Sequence, residues 1–441
     1  MLRKVGASSI DELFSDIPPD LRLKRPLKLP ATGSEYGIRR EITTRLGSNK
    51  SHPGTVCFLG GGVWPHYIPA VVESVMARQE FYTSYTPYQA EISQGMLQAL
   101  FEYQSLMCDL LSMEACNSSL YDWASAAGEA ARMASRVTGR TKILVAANSG
   151  PQRLAVMQTY AEPAGVVLEP IGFDKNTGRL DPESLRAKLS SDVAGVYIES
   201  PNYFGVIEEE AEEMVAAAHS AGALAILGVD PISLSLIRPP GAYGADIAVG
   251  EGQPLGIPMN YGGPHLGLFS VSDMKLARNM PGRLIGLTTP VGEPDRKAFA
   301  MALQTREQHI RREAATSNVC TNQSLMAVAA ACYLSLLGKN GFRKLGESIV
   351  SNSHHAARRL SKVRGLNSPH FSGSFFKEFV VSYEKAKAES VFHRLAEKGV
   401  LGGAPVPKSM GLGKEAGSFC VTEVHTSEDI ERLVGAMEGA L

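Results

Sequence analysis

The sequence predicts an α/β fold in which a large, mostly parallel sheet is followed by a smaller C-terminal α/β unit. Three observations support this prediction. Strand-like and helix-like segments alternate from residue 142 to residue 230, which is typical of a parallel sheet with right-handed crossovers. The length of 441 residues exceeds that of one ordinary domain. Near Gly338 the composition changes, and a shorter α/β pattern begins.

The composition excludes several classes of protein. Lysine and arginine (44) nearly balance aspartate and glutamate (45), so no net field attracts nucleic acid or a membrane. The six cysteines form no C-x-x-C pair, which argues against a metal site and a disulfide framework. The N-terminus lacks a secretory signal, and the longest apolar run, near residues 325–337, is too short to span a membrane. We therefore expect a cytoplasmic protein.

The N-terminal 60 residues are predicted to form an arm. Prolines punctuate it, and only Ser9–Phe14 has the pattern of a short helix. Helical periodicity begins at Ala90, and a second, alanine-rich helix is predicted from Ala124 to Arg136. Residues 61–337 are predicted to form the large domain and residues 338–441 the small one.

The large domain is predicted to alternate strands and helices. The predicted strands are Lys142–Ala147, Gly165–Pro170, Val193–Glu199, Ala223–Asp230, Ala245–Gly250 and Leu266–Val271, and the helices between them are Pro151–Ala161, Asp181–Leu189 and Glu208–Ala221. One or two long helices are expected in Arg296–Leu337. The small domain is predicted to end with a strand over Ser418–Val424 and a helix over Ser427–Glu438.

Polar residues follow the predicted strands at the edge where open α/β sheets bind ligands. In pyridoxal phosphate (PLP) enzymes of the aspartate-aminotransferase type, an acid after one strand pairs with the pyridinium nitrogen, and a lysine after the next strand forms the Schiff base. Here Asp230 supplies the acid, but Gln253 occupies the place of the lysine, and no lysine occurs from residue 189 to residue 274. Because an amide nitrogen is not nucleophilic, we expect no covalently bound PLP and a non-catalytic partner of an enzyme.

Two further positions match the cofactor contacts of such folds. Ser125 opens a run of small residues before a helix, where backbone N–H groups could cradle a phosphate, although close packing is the more common reason for such a run. Asn202 stands where the ring oxygen would be contacted. Without a Schiff base, we expect Ser125, Asn202 and Asp230 to be inherited hydrogen-bonding positions rather than ligands.

The segment Phe81–Gly95 places three tyrosines three residues apart in a turn-forming stretch. Tyrosines in such loops most often pack against the protein, and a binding role is the alternative. The candidate site residues are Tyr85, Tyr88, Gln89 and Glu91.

The segment Gln304–Glu313 is predicted to be a helix with alternating charges. Such a face is usually solvated, but the adjacent Arg311 and Arg312 could also dock an acidic partner. Both interpretations stay open.

Four motifs resemble one family. TPYQAEISQG at residues 86–95, EYQ at 102–104, QTREQHIRRE at 304–313 and ATSN at 315–318 resemble the P-protein of the glycine cleavage system, and the resemblance covers essentially the whole chain. It implies the PLP-dependent transferase fold of the aspartate-aminotransferase type. In some bacteria this family is split into two homologous subunits, and the present chain resembles the subunit without the lysine.

The resemblance also implies the partners. The companion subunit would hold PLP, and the pair would act as a dimer of heterodimers. Glycine would be the substrate, and the lipoyl-bearing H-protein would accept the aminomethyl group. Tyr85, Tyr88, Gln89 and Glu91 would then contribute to the companion's active site.

Two alternatives are open to test. One is a scaffold or regulatory subunit with no residue near the chemistry. The other is an autonomous PLP enzyme that uses a displaced lysine such as Lys275, although this residue lies 22 positions after Gln253 and beyond the next predicted strand.

Overall fold

The computed structural model describes residues 1–31, 33–49, 54–84, 88–319 and 321–441. The chain forms two compact units, Met1–His52 and Pro53–Leu441. The domain boundaries expected after residues 60 and 337 stay predictions. In the structure, residues 56–57 already form a strand of the second unit, and the long helix Ser324–Leu360 is interrupted at Gly338, whose φ of 56° lies in the left-handed region.

The described residues of the first unit form short helical segments that bury no apolar core. It contains 3-10 turns at Leu2–Lys4 and Asp11–Phe14 and the helix α1 (Glu35–Leu46). The Ser34 hydroxyl caps α1 by accepting a hydrogen bond from the N–H of Gly37 at 3.1 Å. None of these helices has a buried residue. The sequence analysis missed α1 because its apolar residues form no stripe that would indicate a helix packed on a core.

In the second unit the helices are α2 (Ala70–Met76), α3 (Gln79–Tyr82), α4 (Gln94–Leu111), α5 (Trp123–Thr138), α6 (Pro151–Ala161), α7 (Pro182–Lys188), α8 (Ala211–Ser220), α9 (Met274–Ala277), α10 (Gln308–Arg311), α11 (Ser324–Leu360), α12 (Ala388–Glu397) and α13 (Ser427–Glu438). Shorter 3-10 turns are Glu162–Ala164, Pro231–Ser235, Pro240–Tyr243, Asn260–Gly262, Gln304–Arg306, Arg312–Ala314 and Lys408–Met410.

The strands are β1 (Val56–Cys57), β2 (Ala115–Cys116), β3 (Lys142–Ala146), β4 (Val167–Ile171), β5 (Val193–Glu199), β6 (Leu224–Val229), β7 (Ile247–Glu251), β8 (Gly267–Val271), β9 (Leu284–Thr288), β10 (Ala298–Ala302), β11 (Leu366–Asn367), β12 (Glu378–Tyr383), β13 (Val400–Leu401), β14 (Ala404–Pro405) and β15 (Ala416–Cys420).

The large sheet has the strand order β2-β8-β7-β6-β5-β3-β4. Strands β4, β3, β5, β6 and β7 pair in parallel, whereas β8 is antiparallel to both β7 and β2. The predicted α/β class with a large, mostly parallel sheet is confirmed. The carboxyl ends of β5, β6 and β7 therefore lie side by side at one edge.

Helices cover both faces of this sheet. Along β5 and β6, Val196 and Leu227 pack with the core beneath α4 and α11, whereas Tyr197 and Ile226 pack with the core beneath α5 and α6. This alternation follows the two-residue period of a strand. The alanines of α5 let that helix approach the sheet closely.

Among the described residues, α11 is the one helix whose length and composition would suit a membrane span. Core helices of globular proteins pass the same test. Met326, Ala330 and Tyr333 of α11 are buried in the core beside α4, and the helix is interrupted at Gly338, so its apolar character is explained by packing within the protein.

The C-terminal part contains an antiparallel sheet of order β11-β12-β15-β14. Its core includes Phe379 and Phe419 from the sheet and Leu395 and Leu433 from α12 and α13. Strand β1 pairs in parallel with β13. These two strands form a separate two-stranded sheet, which joins the start of the second unit to its C-terminal part.

The prediction of one or two long helices over Arg296–Leu337 holds only from Ser324, where α11 begins, and the prediction of a helix over Gln304–Glu313 was wrong. The segment begins with β10, which forms an antiparallel hairpin with β9, and continues with short turns until α11 begins at Ser324. Leu303 and Arg312 have positive φ angles of 53° and 54°, and each interrupts helical geometry. Alternating charges alone therefore did not identify a helix here.

Candidate functional site

The polar residues that follow β5, β6 and β7 lie at one edge of the sheet, as parallel pairing requires. Asn202, Asp230, Glu251 and Gln253 are all buried. Each of them is bound by another group of this chain, and the partners are described in turn below.

Asp230 forms a buried ion pair with Lys377, which directly precedes β12. The Lys377 Nζ lies 2.8 Å from Asp230 Oδ2, and both side chains are at most 5% exposed. The angles of this contact do not satisfy those of a hydrogen bond, so the attraction is mainly Coulombic. The same ammonium lies 3.8 Å from the centroid of the Trp64 ring. The acid that would pair with a pyridinium nitrogen thus already has a cationic partner.

His66 completes the surroundings of this ammonium. Its Nε2 lies 3.1 Å from Lys377 Nζ, and its Nδ1 lies 2.9 Å from Glu423 Oε2. Because an ammonium can only donate, Nε2 accepts and the ring proton is assigned to Nδ1. Burial lowers the pKa of His66, and the charge of Lys377 lowers it further, so the neutral ring is favoured.

Gln253 is bound to the backbone on both sides of its amide. Its Oε1 accepts from the N–H of Trp64 at 3.0 Å, and its Nε2 donates to the carbonyl of Trp64 at 3.3 Å and to that of Ile257 at 2.7 Å. A side-chain amide matches a backbone amide in donors and acceptors. Gln253 therefore fixes the segment at Trp64, whose ring covers Lys377.

Glu251 organises the backbone next to Gln253. Its carboxylate accepts hydrogen bonds from the N–H groups of Gln253, Leu266 and Trp123 at 3.0, 3.1 and 3.2 Å. Burial raises the pKa of Glu251 to about 8, against the effect of these donors. The carboxyl group links the end of β7 with the starts of β8 and α5.

The Asn202 amide is likewise bound on both sides. Its Nδ2 donates to Glu208 Oε1 at 2.8 Å and to the Gly178 carbonyl at 3.0 Å, and its Oδ1 accepts from the N–H groups of Phe204 and Val206. Burial raises the pKa of Glu208 to about 7. These bonds hold the turn that follows β5.

Ser125 belongs to the cap of α5. The Asp122 carboxylate accepts from the N–H of Ser125 at 2.7 Å, and the Ser125 hydroxyl bonds back to the Asp122 backbone, which forms a capping box. A carboxylate thus stands at the helix N-terminus where a phosphate would bind, and its negative charge would repel that phosphate.

Arg153 of α6 fills the remaining space. It binds Glu199 through Nε and Nη2 at 2.7 and 2.6 Å, and its guanidinium lies 4.0 Å from the centroid of a Trp123 ring. The cavity that is left has a volume of about 10 Å³. Such a volume holds about one water molecule. The residues at this edge therefore do not fit PLP.

The pKa of Glu208 gives a prediction for stability. Because its folded pKa lies above that of an exposed glutamate, the folded state binds a proton that the unfolded state releases between about pH 4.5 and pH 7. This contribution to stability is present at low pH and is lost as the pH rises through 7, by up to about 3 kcal/mol. We expect Glu208→Gln to have a flatter dependence of the melting temperature on pH from 5 to 8 than the wild type.

The exposed neighbour Glu210 provides the control, and Glu210→Gln should follow the wild-type curve. Parallel curves for Glu208→Gln and the wild type would mean that Glu208 does not titrate in this range in the folded protein.

The tyrosine segment lies partly outside the described residues, since Tyr85 is not among them. The Tyr88 hydroxyl binds Arg283 Nη2, and the Arg283 guanidinium lies 4.1 Å from the centroid of the Tyr88 ring. Arg283 Nη1 donates to Glu307 Oε2 at 2.6 Å. The tyrosine segment and the QTREQ turn, more than 200 residues apart in the sequence, thus meet at one buried arginine.

Two glutamines of the family motifs bind the β9–β10 hairpin. The Gln94 amide accepts from the Phe299 N–H at 2.9 Å and donates to its carbonyl at 2.8 Å. The Gln104 amide does the same with Ile285, at 2.9 and 3.0 Å. Each side chain acts like a residue of a neighbouring strand, so both glutamines have an architectural role.

The other candidates are exposed. Gln89 and Glu91 are open to solvent, and so are Arg311 and Arg312. Arg306 is buried instead, where it binds the carbonyls of Met280 and Gly282. The described residues contain no group of histidine, cysteine and carboxylate side chains that could hold a metal.

The comparison with known families is decisive. A sequence profile described as "Glycine cleavage system P-protein" matches residues 1–437. This chain belongs to that family. A relative from Staphylothermus marinus, named "Probable glycine dehydrogenase (decarboxylating) subunit 1", is 50% identical and covers 98% of this chain and 94% of its own length. A relative of the same name from Aeropyrum pernix is 48% identical and covers 100% and 96%.

Solved structures agree with the P-protein assignment. A crystal structure titled as glycine decarboxylase (P-protein) of the glycine cleavage system, in inhibitor-bound form, has a TM-score of 0.91 and 40% identity, covering 100% of this chain and 97% of that one. A sphingosine-1-phosphate lyase from Burkholderia pseudomallei has a TM-score of 0.69 at 14% identity and supports the fold alone.

The residues predicted for the site of this P-protein family member did not include Trp64, Lys377, Arg283 and Glu307. Trp64 and Lys377 approach the strand ends from segments that lie far away in the sequence. The one signal that could have found Lys377 is its place as a charged residue among aromatic ones, in the sequence FFKEF. Such a residue needs a buried partner.

Proposed function

We propose that this chain is the cofactor-free subunit of a two-subunit glycine decarboxylase, the P-protein of a cytoplasmic glycine cleavage system. The observation that carries the proposal is the occupied site: Gln253, Asp230, Asn202 and Ser125 each bind a group of this chain and leave nothing free for PLP. Membership of the P-protein family and relatives named as subunit 1 support the assignment.

The companion, a homologous subunit 2, would hold PLP, which withdraws electrons from bound glycine. In the overall reaction the glycine carboxylate leaves as CO2. The aminomethyl group passes to one sulfur of the lipoyl disulfide on the carrier H-protein, and the other sulfur becomes a thiol. The contribution of this chain is to complete the mouth of the companion's site and to exclude water from it.

The arm supports an obligate partner. Its apolar residues Leu21, Leu29 and Tyr36 are more than 70% exposed, and its helices bury nothing. Such a segment gains order only along another surface. Permanent interfaces of this kind bury on the order of 2,000 Å² or more. We therefore propose that the arm lies along the companion subunit; the resemblance to the P-protein family implies that two such pairs form a dimer of heterodimers.

Neither alternative from the sequence is favoured. Lys275 is exposed at the start of α9, beyond β8, so it cannot reach the edge formed by β5, β6 and β7. A scaffold without any residue near the chemistry would not account for the hydrogen bond that holds the hydroxyl of the partly exposed Tyr88 to the buried Arg283.

The proposal is tested by co-expression with the companion. Size-exclusion chromatography with light scattering should show a complex of equal stoichiometry, and this complex should release labelled CO2 from carboxyl-labelled glycine when lipoylated carrier is present. The chain alone should be colourless, should release no CO2 and should give no pyridoxyl-lysine peptide after borohydride reduction. A well-behaved monomer that ignores the companion would refute the proposal.

The tyrosine segment gives a further prediction for the complex. Tyr88→Phe removes a hydroxyl that binds Arg283 and keeps the ring, so assembly should be unchanged while kcat falls by about 10-fold. Tyr85→Phe tests the neighbouring candidate. The matched control is Tyr82→Phe, which changes an exposed tyrosine of the same segment. Wild-type kinetics for both Tyr85→Phe and Tyr88→Phe would remove the segment from the site.

A further inference from the structure

Arg283 connects three segments at the start of strand β9. Its backbone carbonyl accepts from the Ser118 N–H at 2.8 Å, its Nη2 binds the Tyr88 hydroxyl, and its Nη1 binds Glu307 Oε2 at 2.6 Å. The Met301 sulfur of β10 lies 3.8 Å from the same Nη1. The arginine therefore contacts the tyrosine segment, the hairpin and the QTREQ turn at once.

Only arginine suits this position. A guanidinium is planar and presents several N–H donors in a fixed fork, so one group can bind a hydroxyl and a carboxylate in different directions. Lysine has a single nitrogen on a flexible stem and cannot reproduce both bonds with the same geometry. The side chains of Arg283 and Glu307 are 5% and 8% exposed, so water does not substitute for a lost bond.

The hairpin and the turn have other anchors. Gln94 and Gln104 hold the two strands, and Arg306 holds the turn through the Met280 and Gly282 carbonyls. Thr316 binds the Arg306 carbonyl through its N–H and its hydroxyl, both at 3.1 Å. Loss of the Arg283 side chain would therefore leave these anchors in place, release the Tyr88 hydroxyl and leave the buried Glu307 carboxylate without its cation.

We propose that Arg283 is a positioning residue for glycine decarboxylation by the complex: it orients the Tyr88 hydroxyl relative to the turn that carries Glu307. The inference rests on the proposed function. Arg283 itself does not touch the reacting atoms; its effect passes through Tyr88. A displacement of about 1 Å in such a group can reduce turnover about 100-fold.

The test is a double-mutant cycle in the reconstituted complex with Tyr88→Phe, Arg283→Ala and the double variant. We expect Arg283→Ala to lower kcat by about 10- to 100-fold, with the KM for glycine changed less than about threefold. The double variant should be no slower than Arg283→Ala alone, because both changes remove the same hydrogen bond between Arg283 and the Tyr88 hydroxyl. The control is Arg296→Ala, an exposed arginine of the loop between β9 and β10, which should keep wild-type kinetics.

Guanidinium ion supplies a second readout. Added at millimolar concentration, it should restore part of the turnover of Arg283→Ala but none of that of Tyr88→Phe. If Arg283→Ala does not assemble, Arg283→Lys enters the cycle in its place. Multiplicative losses in the cycle, or wild-type turnover in the arginine variant, would overturn the inference. A wild-type complex that releases no CO2 would instead overturn the proposed function, so the two failures are distinguishable.

Discussion

Replacement of Lys377 with methionine is expected to lower the free energy of unfolding by about 3–5 kcal/mol. Methionine keeps an unbranched side chain, one atom shorter, but removes the charge. Asp230 is then left buried and without its cation, although the Ile232 N–H still binds its Oδ1 at 3.1 Å. The loss exceeds that of an ordinary surface ion pair because water cannot solvate the carboxylate. The contact between the ammonium and the Trp64 ring is lost as well.

Chemical denaturation of the complex measures this loss as a shift of the transition midpoint. The double variant Lys377→Met/Asp230→Leu should recover most of the stability, since a buried ion pair and an apolar pair of similar volume are often equivalent. Lys275→Met is the surface control and should not differ from the wild type. Equal stabilities of Lys377→Met and Lys275→Met would mean that Asp230 does not depend on its partner.

The sheet was largely predictable from the sequence. The bounds of β5, α6 and α13 were predicted to the residue, because their apolar periods are clear and proline, glycine or a capping threonine marks several of their ends. The ends of the other strands predicted for the large sheet differed by one or two residues. The edge strand β2 was not predicted, and the strand predicted over Ser418–Val424 lies at Ala416–Cys420, so its end differed by four residues. The polar residues after β5, β6 and β7 were also predictable, since parallel strands end at one edge.

The side chains that bind Asp230 and Gln253 could not be predicted from the sequence. Lys377 lies 147 positions after Asp230, and Trp64 lies 189 positions before Gln253, so no local pattern links them. From the absence of a lysine in the sequence we predicted that PLP would not be bound covalently. Nothing in the sequence indicated that the chain's own side chains would fill the space at the ends of β5, β6 and β7.

The family motifs illustrate a second limit of sequence reasoning. Gln94, Gln104 and Arg306 belong to the most recognisable segments, yet their side chains bind backbone groups of the hairpin or of the residues before it. A motif of this kind identifies the family because it fixes an uncommon local structure. The charge pattern that suggested a helix at residues 304–313 came from the same segment, where Arg306 and Glu307 turn inward to make buried contacts.

The substitution Gln253→Lys, which places a lysine at the position expected for the Schiff base, is expected to give neither a PLP adduct nor a decarboxylase. The pyridine ring of PLP would collide with the Lys377 ammonium that already pairs with Asp230. The phosphate of PLP would be repelled by the Asp122 carboxylate at the start of α5. The new lysine can only donate, so the Trp64 N–H would lose its acceptor, and a charge would enter a position that is 2% exposed. We expect a loss of stability of about 2–4 kcal/mol.

Three measurements decide this prediction. Borohydride reduction in the presence of PLP, followed by peptide mass analysis, should find no pyridoxyl group at position 253. The isolated variant should release no labelled CO2 from glycine, and its melting temperature should fall below that of Gln253→Leu, which loses all three hydrogen bonds of the amide but gains no charge. The exposed substitution Gln308→Lys controls for the added charge. A pyridoxyl-lysine at position 253 would mean that Lys377 and Trp64 yield to the cofactor, and the site would then be a vacant PLP site rather than a filled one.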